Sequence, residues 1–194
     1  MKSITKIMTL MICTILTLVQ LNGQTKMTAK NNINLSVSGT STMHDWVMKS
    51  STGECTVTFV MDASGNITGV SQMNITIPSK ALKSGKGGMD KNAYKALKTD
   101  NNPNITATLK SANVTTKDNK NYTVKSIIKL TIAGKTLETD LVAQVKKIND
   151  NSISVKAEKP LAMKDYDVDP PSFMLGAVKT GNEVVLNFDF ILNQ

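Results

Sequence analysis

Histidine is almost absent from this 194-residue chain, and its scarcity limits the chemistry that the protein can perform. His44 is the only histidine, so any Ser-His-Asp or Cys-His arrangement would have to use it. Its neighbour Asp45 is a poor partner for such a relay, because adjacent residues on an extended segment point to opposite faces. We therefore expect a non-enzymatic protein with no catalytic residues, and a hydrolase that uses His44 is the weaker alternative.

Cysteine is also scarce, and the residues that bind metals do not cluster. Cys13 lies in an apolar N-terminal run, so Cys55 is the only cysteine of the remaining chain and no internal disulfide is expected there. Structural zinc sites need about four His, Cys or carboxylate ligands. The series Asp165, Asp167 and Asp169 lacks the glycine and the distant glutamate of a calcium loop. We predict no metal site.

Only one long apolar run occurs, and it lies at the N-terminus. Lys2 and Lys6 precede an uncharged apolar stretch over residues 7–19, which is typical of a secretory signal peptide. A membrane-spanning helix needs about 20 apolar residues, so no stable membrane span is expected. The sequence predicts a signal peptide over residues 1–23 and one domain over residues 24–194, periplasmic or secreted after cleavage. An uncleaved N-terminal anchor is the alternative.

Aromatic residues make up only 4% of the chain, although its net charge is +8. Removal of Lys2 and Lys6 lowers this charge by two, to +6. The longest basic cluster is the pair Lys146 and Lys147, and the other lysines are dispersed among Asn and Thr. Nucleic-acid-binding proteins typically cluster basic residues and interleave them with aromatics. We expect no nucleic-acid partner.

Alternation of apolar and polar residues is the dominant pattern of the remaining chain. A period of two indicates strands, and turn residues such as Gly134 and Gly181 separate the runs. Antiparallel strands with one apolar face can close on themselves, which buries that face and removes exposed edges. We predict an all-β protein, an antiparallel barrel of about eight strands. The predicted strands centre on residues 33–37, 57–61, 73–77, 105–109, 124–132, 137–145, 153–155 and 184–192.

Two stretches interrupt the alternation. A glycine-rich loop over residues 84–88 precedes residues 89–97, in which apolar side chains recur at helical spacing. We predict one short helix there, with Asp90 as its N-cap, across the outside or the mouth of the barrel. Residues 163–176 contain Pro170 and Pro171, which cannot pair within a central strand, and are expected to form a long ordered loop.

Four short segments of the chain form a recognisable series of motifs. The opening G-T-S-T-M-H-D-W stands at residues 39–46, and the second segment combines Met89-Asp90-Lys91, Ala96-Leu97 and Pro103-x-Ile105. The third is the turn L-T-I-A-G-K-T at residues 130–136, and the fourth is L-A-M-K-D-Y at residues 161–166 followed by a proline pair. Together these segments span nearly the whole predicted domain. In this order they resemble the YceI-like family of exported lipid-binding proteins.

The resemblance implies a lipocalin-like barrel around an apolar tunnel that holds a long isoprenoid or quinone-like lipid. Such a lipid would be a bound ligand rather than a cofactor, and an apolar lipid is the expected partner. The residues themselves do not decide whether the interior is filled or hollow. A barrel of about eight strands can fill with side chains or hold one small ligand. The alternative is thus a solid-core structural or interaction protein of the cell envelope. The oligomeric state is left open, with a homodimer as one candidate.

Inward-facing apolar residues are the candidates for the tunnel lining, and the opening is expected near residues 84–88 and the helix. Methionines such as Met61, Met89 and Met163 suit a lining that adapts to a flexible ligand, since their side chains are pliant. The predicted lining residues are Phe59, Met73, Ile75, Leu109, Leu130, Phe173, Leu186, Phe188 and Phe190.

Overall fold

A computed structural model describes residues 23–173 and 176–194 of the chain. The predicted signal peptide lies outside these residues except for Gly23, at which the first strand begins. Within the described part, the α-helix α1 spans Gly87–Ala96. The strands are β1 (Gly23–Lys30), β2 (Ile33–Ser41), β3 (Trp46–Ser50), β4 (Glu54–Met61), β5 (Ile67–Pro78), β6 (Asn104–Thr116), β7 (Asn121–Ile132), β8 (Lys135–Asn149), β9 (Ser152–Ala162), β10 (Ser172–Phe173) and β11 (Val178–Asn193).

The eight strands predicted from alternation are confirmed as β2, β4, β5, β6, β7, β8, β9 and β11. Alternation missed β1, β3 and β10. In β1 only Met27 and Ala29 are buried, and in β3 the buried face includes Ser50, so the apolar signal of both strands is weak. β10 has two residues, which is too few for any periodic signal.

β1 and β2 follow each other as one strand that bends at Asn31. The backbone φ of Asn31 is 53°, a left-handed conformation that asparagine tolerates better than most residues. Its amide donates to the carbonyl of Gly53, 2.8 Å away, at the break between β3 and β4. β1 pairs with β4 and β2 pairs with β3, so both arms of one long hairpin bend at the same level.

This bend decides how the barrel closes. Eight strands form a ring in the order β1, β4, β5, β6, β7, β8, β9 and β11, and the Thr28–Asn193 pairing of β1 with β11 completes it. Beyond the bend β11 pairs with β2 instead, from Phe190 to Thr180, and β3 extends this side of the sheet. The ring is therefore closed at the end that holds the turn residues 62–66, which we call the turn end. The opposite end, which we call the helix end, is splayed.

The segment between β5 and β6 covers the splayed end. A short 3₁₀ turn over Ser79–Ala81 is followed by a bridge between Lys83 and Lys49 of β3 and then by α1. The inner face of α1 carries Met89, Ala93 and Leu97, which pack against the barrel core. The predicted short helix at the mouth of the barrel is confirmed.

The prediction that Asp90 is the N-cap is wrong. The helix begins at Gly87, after the N-cap Lys86, whose side chain makes no capping hydrogen bond. Asp90 lies in the first turn, and its carboxylate accepts hydrogen bonds from the Ser84 amide at 2.8 Å and hydroxyl at 2.6 Å. These bonds from Ser84 hold the pKa of Asp90 below its usual value. Asp90 thus ties the glycine-rich loop to the helix rather than starting the helix.

The core toward the turn end contains several of the most completely buried side chains. Met27, Phe59, Tyr122, Ile153 and Leu192 are each at most 1% exposed. The hydroxyl of Tyr122 donates to the Asn119 carbonyl at 2.7 Å, which satisfies the polar end of this buried ring. At the helix end, the predicted loop before β11 contains a 3₁₀ turn over Met163–Tyr166 and the short β10.

Trp46 lies directly across β2 at the helix end. It pairs with Gly39, and its indole N–H donates to the Thr40 carbonyl at 3.0 Å. A Cβ atom at position 39 would lie 2.5 Å from Cζ2 of the indole ring. Only glycine therefore leaves room for the ring to lie flat against this strand.

We expect the substitution Gly39→Ala to displace Trp46 and to lower the free energy of unfolding by about 1–3 kcal/mol, the usual cost of forcing atoms into a packed site. Because Trp46 is the only tryptophan, its fluorescence maximum reports the displacement directly. Gly69→Ala is the matched control, since a Cβ there would make an ordinary 3.5 Å contact with Val60. Equal denaturation midpoints and equal spectra for the two variants would contradict this account.

Cys55 should be unreactive in the folded protein. It is 1% exposed, and burial raises the pKa of its thiol to about 12, so almost no thiolate forms near pH 8. We predict that iodoacetamide at pH 8 leaves Cys55 unmodified in the native protein and modifies it fully in denaturant, as read by peptide mass mapping. Rapid native labelling at this peptide would show that the strand pair β1–β4 opens readily.

Candidate ligand-binding cavity

A cavity of about 430 Å³ occupies the helix end of the barrel. This volume lies within the usual range for small-molecule sites. Its walls come from the two arms of the β2–β3 hairpin, the inner face of α1, the loop before β11 and the first half of β11. One residue each from β6, β7 and β9 also lines it. Apolar side chains supply most of this wall, among them Val37, Trp46, Met48, Met89, Ala93, Leu97, Ile105, Leu161, Met163, Val168, Phe173, Val178, Val184 and Leu186.

The cavity exists because strands that meet at the turn end diverge at the helix end. Inward-facing apolar residues at the turn end are almost fully buried. At the helix end the wall combines buried residues such as Val184 with inward-facing residues that are only partly buried. Val37, Met89 and Leu161 are of the second kind, because the cavity lies in front of them. The helix covers this space without filling it, and two of its residues that line the cavity, Ala93 and Ala96, have small side chains.

Three methionines lie in the wall, one on each of three different elements. Met48 comes from β3, Met89 from α1, and Met163 from the 3₁₀ turn after β9. An unbranched thioether side chain can change rotamer at low cost, so these residues can adapt the wall to occupants of different shape.

Polar groups are few, and two of them mark the opening. His44 and Lys86 line the cavity yet are exposed, so the cavity reaches solvent between the β2–β3 loop and the start of α1. Ser41, Asn92 and Thr180 complete the main polar part of the wall. Tyr166 is 3% exposed, and burial, followed by the nearby charge of Asp165, raises the pKa of its hydroxyl.

His44 is held as a loop residue. Its Nδ1 lies 2.8 Å from the carbonyl of Asp45, and an imidazole in that contact donates from Nδ1. The hydroxyl of Ser41 donates to the backbone carbonyl of His44 at 2.7 Å and accepts from the His44 amide at 3.2 Å. Ser41 thus shapes the loop through backbone contacts. Among the described residues, its hydroxyl forms no hydrogen bond with the imidazole of His44, which a serine nucleophile would need.

Two of the nine predicted lining residues, Phe173 and Leu186, lie in the wall of the cavity. Phe59, Ile75, Leu130 and Phe190 are buried in the barrel core, and Met73, Leu109 and Phe188 are partly buried against it. Alternation distinguishes the inside of a strand from its outside, but it gives no level along the barrel axis. The role of these nine residues in ligand binding stays a prediction.

Sequence reasoning overlooked the contributions of Trp46, Met48 and the inner face of α1. A signal for the helix was present, because Met89, Ala93, Ala96 and Leu97 recur at helical spacing and the opening was expected beside them. For β3 the relevant motif was the G-T-S-T-M-H-D-W segment, but its spacing does not show that Trp46 packs against Gly39 of the same segment.

Within the described ranges, no group of three or more His, Cys, Asp or Glu side chains is arranged to hold a metal ion. In the aspartate series, Asp167 pairs instead with Lys135 at 2.9 Å. The helix of the described part is not long and apolar enough to span a bilayer.

Solved structures share this fold. BcnA from Burkholderia cenocepacia is 15% identical, with a TM-score of 0.64 over 82% of this chain and 95% of that chain. A polyisoprenoid binding domain from Saccharophagus degradans, implicated in plant cell wall breakdown, is 10% identical, with a TM-score of 0.64 over 88% of this chain and 99% of that chain. The Campylobacter jejuni YCEI protein is 17% identical, with a TM-score of 0.54 over 72% and 81%.

At these identities the solved structures establish the fold, and the sequence family comes from a separate comparison. A search of curated protein sequences gave no significant match. The model of the YceI-like domain matches residues 20–192, which includes nearly all of the described barrel together with its helix. The chain belongs to the YceI-like family.

Proposed function

We propose that the protein is an exported, non-enzymatic carrier that holds a long apolar lipid, isoprenoid or quinone-like, in the cavity at the helix end of the barrel. The observation that carries this proposal is the apolar wall of a cavity of about 430 Å³, in which inward-facing side chains such as Val37 and Leu161 remain partly accessible. A solved structure with this fold is described as a polyisoprenoid binding domain.

The chemistry of the wall suits a ligand without polar groups along most of its length. Binding of such a chain is driven by apolar area removed from water, at roughly 25 cal/mol per Å² before the costs of association. A polar end would remain at the opening, where Lys86, His44 and Asn92 lie. The ligand would be protected from water while its end stays near the surface.

Export would place this cavity in a compartment where an apolar ligand needs a carrier. The expected signal peptide would deliver the domain to an aqueous compartment that borders membranes, where a long apolar chain is insoluble. A soluble barrel with one covered opening can shield such a chain during storage or transfer.

The ligand itself is tested by native mass spectrometry of protein purified from its own host, followed by lipid extraction. We expect a co-purifying isoprenoid or quinone-like lipid, or uptake of a fluorescent polyprenyl probe by the delipidated protein. Absence of both would favour a structural or interaction protein of the envelope that binds no lipid, and would overturn the carrier proposal.

Filling the cavity from the helix should weaken probe binding without unfolding the barrel. Ala93 faces the cavity, so the indole in Ala93→Trp would occupy space that the ligand needs. We expect the affinity for the polyprenyl probe to fall roughly tenfold or more, as apolar contact area is lost. Ala63→Trp, on an exposed turn at the turn end, is the matched control and should bind as the wild type does. Equal affinities would place the ligand elsewhere.

Replacement of His44 tests the enzymatic alternative. Because the imidazole contacts the backbone carbonyl of Asp45, we expect His44→Ala to change only the local stability of the loop. The measurement is turnover of p-nitrophenyl esters by the wild type and the variant. Turnover that the variant abolishes would identify His44 as a general base and contradict the proposal of a non-enzymatic carrier.

A further inference from the structure

The segment that covers the cavity is strongly basic. Residues 79–100 contain six lysines and two aspartates, a charge of +6 − 2 = +4 within 22 residues. The lysines are Lys80, Lys83, Lys86, Lys91, Lys95 and Lys98. Positive charge is therefore concentrated on the same segment that borders the cavity opening.

The two aspartates of this segment are already engaged. Asp100 forms an ion pair with Lys80 at 2.7 Å, and Asp90 accepts the two hydrogen bonds from Ser84. Among the described residues, Lys86, Lys91 and Lys95 form no ion pair with a carboxylate. These three ammonium groups are therefore available to a partner outside the protein.

Lys91 and Lys95 lie one helical turn apart on the outer face of α1. Both are exposed, whereas Met89, Ala93 and Leu97 on the other face line the cavity. The same helix therefore presents apolar side chains to the cavity and positive charge to the surroundings, and its start, after Lys86, borders the opening.

An exposed apolar side chain lies on the other side of this opening. Met43 is 69% exposed, in the loop between β2 and β3, and its neighbour His44 lines the cavity. Val47 of β3 is 42% exposed nearby in the sequence. A protruding methionine beside free lysines is suited to a surface with anionic groups above an apolar layer.

The acidic residues of the helix end outside this segment lie mainly in two other loops. Asp45 is exposed beside His44 in the β2–β3 loop, and three more aspartates lie before β11. Asp165, Asp167 and Asp169 belong to the loop before β11, and Asp167 is paired with Lys135. The helix side is therefore the basic side of the opening, and this asymmetry would orient the protein on an anionic partner.

We propose that the helix side of the cavity opening docks on an anionic lipid surface, with Lys91 and Lys95 at the headgroups and Met43 at the boundary of the acyl chains. The biological role of this docking rests on the proposed function, because an apolar ligand could then pass between bilayer and cavity without crossing water. The docking itself needs no ligand. Basic residues next to an anionic bilayer gain electrostatic attraction that falls off within a Debye length.

Co-sedimentation with vesicles tests the docking surface. We expect the full folded protein to bind phosphatidylcholine vesicles that contain phosphatidylglycerol, to bind pure phosphatidylcholine vesicles weakly, and to dissociate as salt is raised. The double variant K91Q/K95Q should weaken binding roughly ten- to thirtyfold at low salt, as expected for two lysines close to the surface.

A matched charge control separates a docking face from overall charge. Lys117 and Lys120 are exposed in the turn between β6 and β7 at the turn end, so K117Q/K120Q removes the same two charges from the opposite end of the barrel. We expect this variant to bind as the wild type does. Equal losses for the two double variants would show attraction by net charge alone and would overturn the proposal.

The apolar contribution has its own pair of variants. Met43→Ser should weaken the binding that persists at higher salt, whereas Ile148→Ser should not, because Ile148 is a 50% exposed residue near the turn end. Equal effects of the two changes, or no binding of the wild type to anionic vesicles, would also overturn the proposal. Binding to a DNA duplex of the same strength, lost in K91Q/K95Q, would identify a general polyanion site instead.

The failure of this proposal and that of the carrier proposal are distinguishable. Ala93→Trp fills the cavity but leaves Lys91, Lys95 and Met43 in place, so it should still bind anionic vesicles. Vesicle binding without any uptake of the polyprenyl probe by the wild type would retain docking and reject the carrier. Probe uptake without vesicle binding would do the reverse.

Discussion

The bend of the first hairpin is the constraint on which the rest of the structure depends. Asn31 in the left-handed conformation turns the strand, and its amide bonds the Gly53 carbonyl across the hairpin. Gly53 also allows close packing, because a Cβ there would lie 2.4 Å from Cδ1 of Ile77. Before the bend, β1 pairs with β4 on one side and with β11 on the other, and this closes the ring. Beyond the bend, β2 pairs with β11 instead, and the ring is open.

This opening explains why the barrel has a solid half and a hollow half. At the turn end, large side chains such as Phe59 and Tyr122 are at most 1% exposed and belong to one continuous core. At the helix end, the strands leave a cavity, and α1 covers it with a face that includes Met89 as well as the small side chains of Ala93 and Ala96. An apolar cavity left empty costs stability, because its lining lacks contact partners. An apolar ligand would restore those contacts and stabilise the folded state by mass action.

Polar and charged groups follow the same division. The wall of the cavity is nearly without charge, while the outer face of α1 carries lysines and the opening carries Lys86 and His44. The bonds between Asp90 and Ser84 fix the glycine-rich loop beside this opening. Local hydrogen bonds thus place the helix, and the helix in turn separates the apolar interior from the basic exterior.

By itself the sequence determined the all-β class, the eight long strands and the short helix, because alternation and helical spacing are local patterns. It did not determine Asn31 as the bend, the short strands β1, β3 and β10, or which inward residues face a cavity. Phe59 and Leu186 have the same period-two signature, yet one lies in the solid core and the other lines the cavity. Only the tertiary structure decided this difference, since it depends on how far apart the strands lie at each level of the barrel.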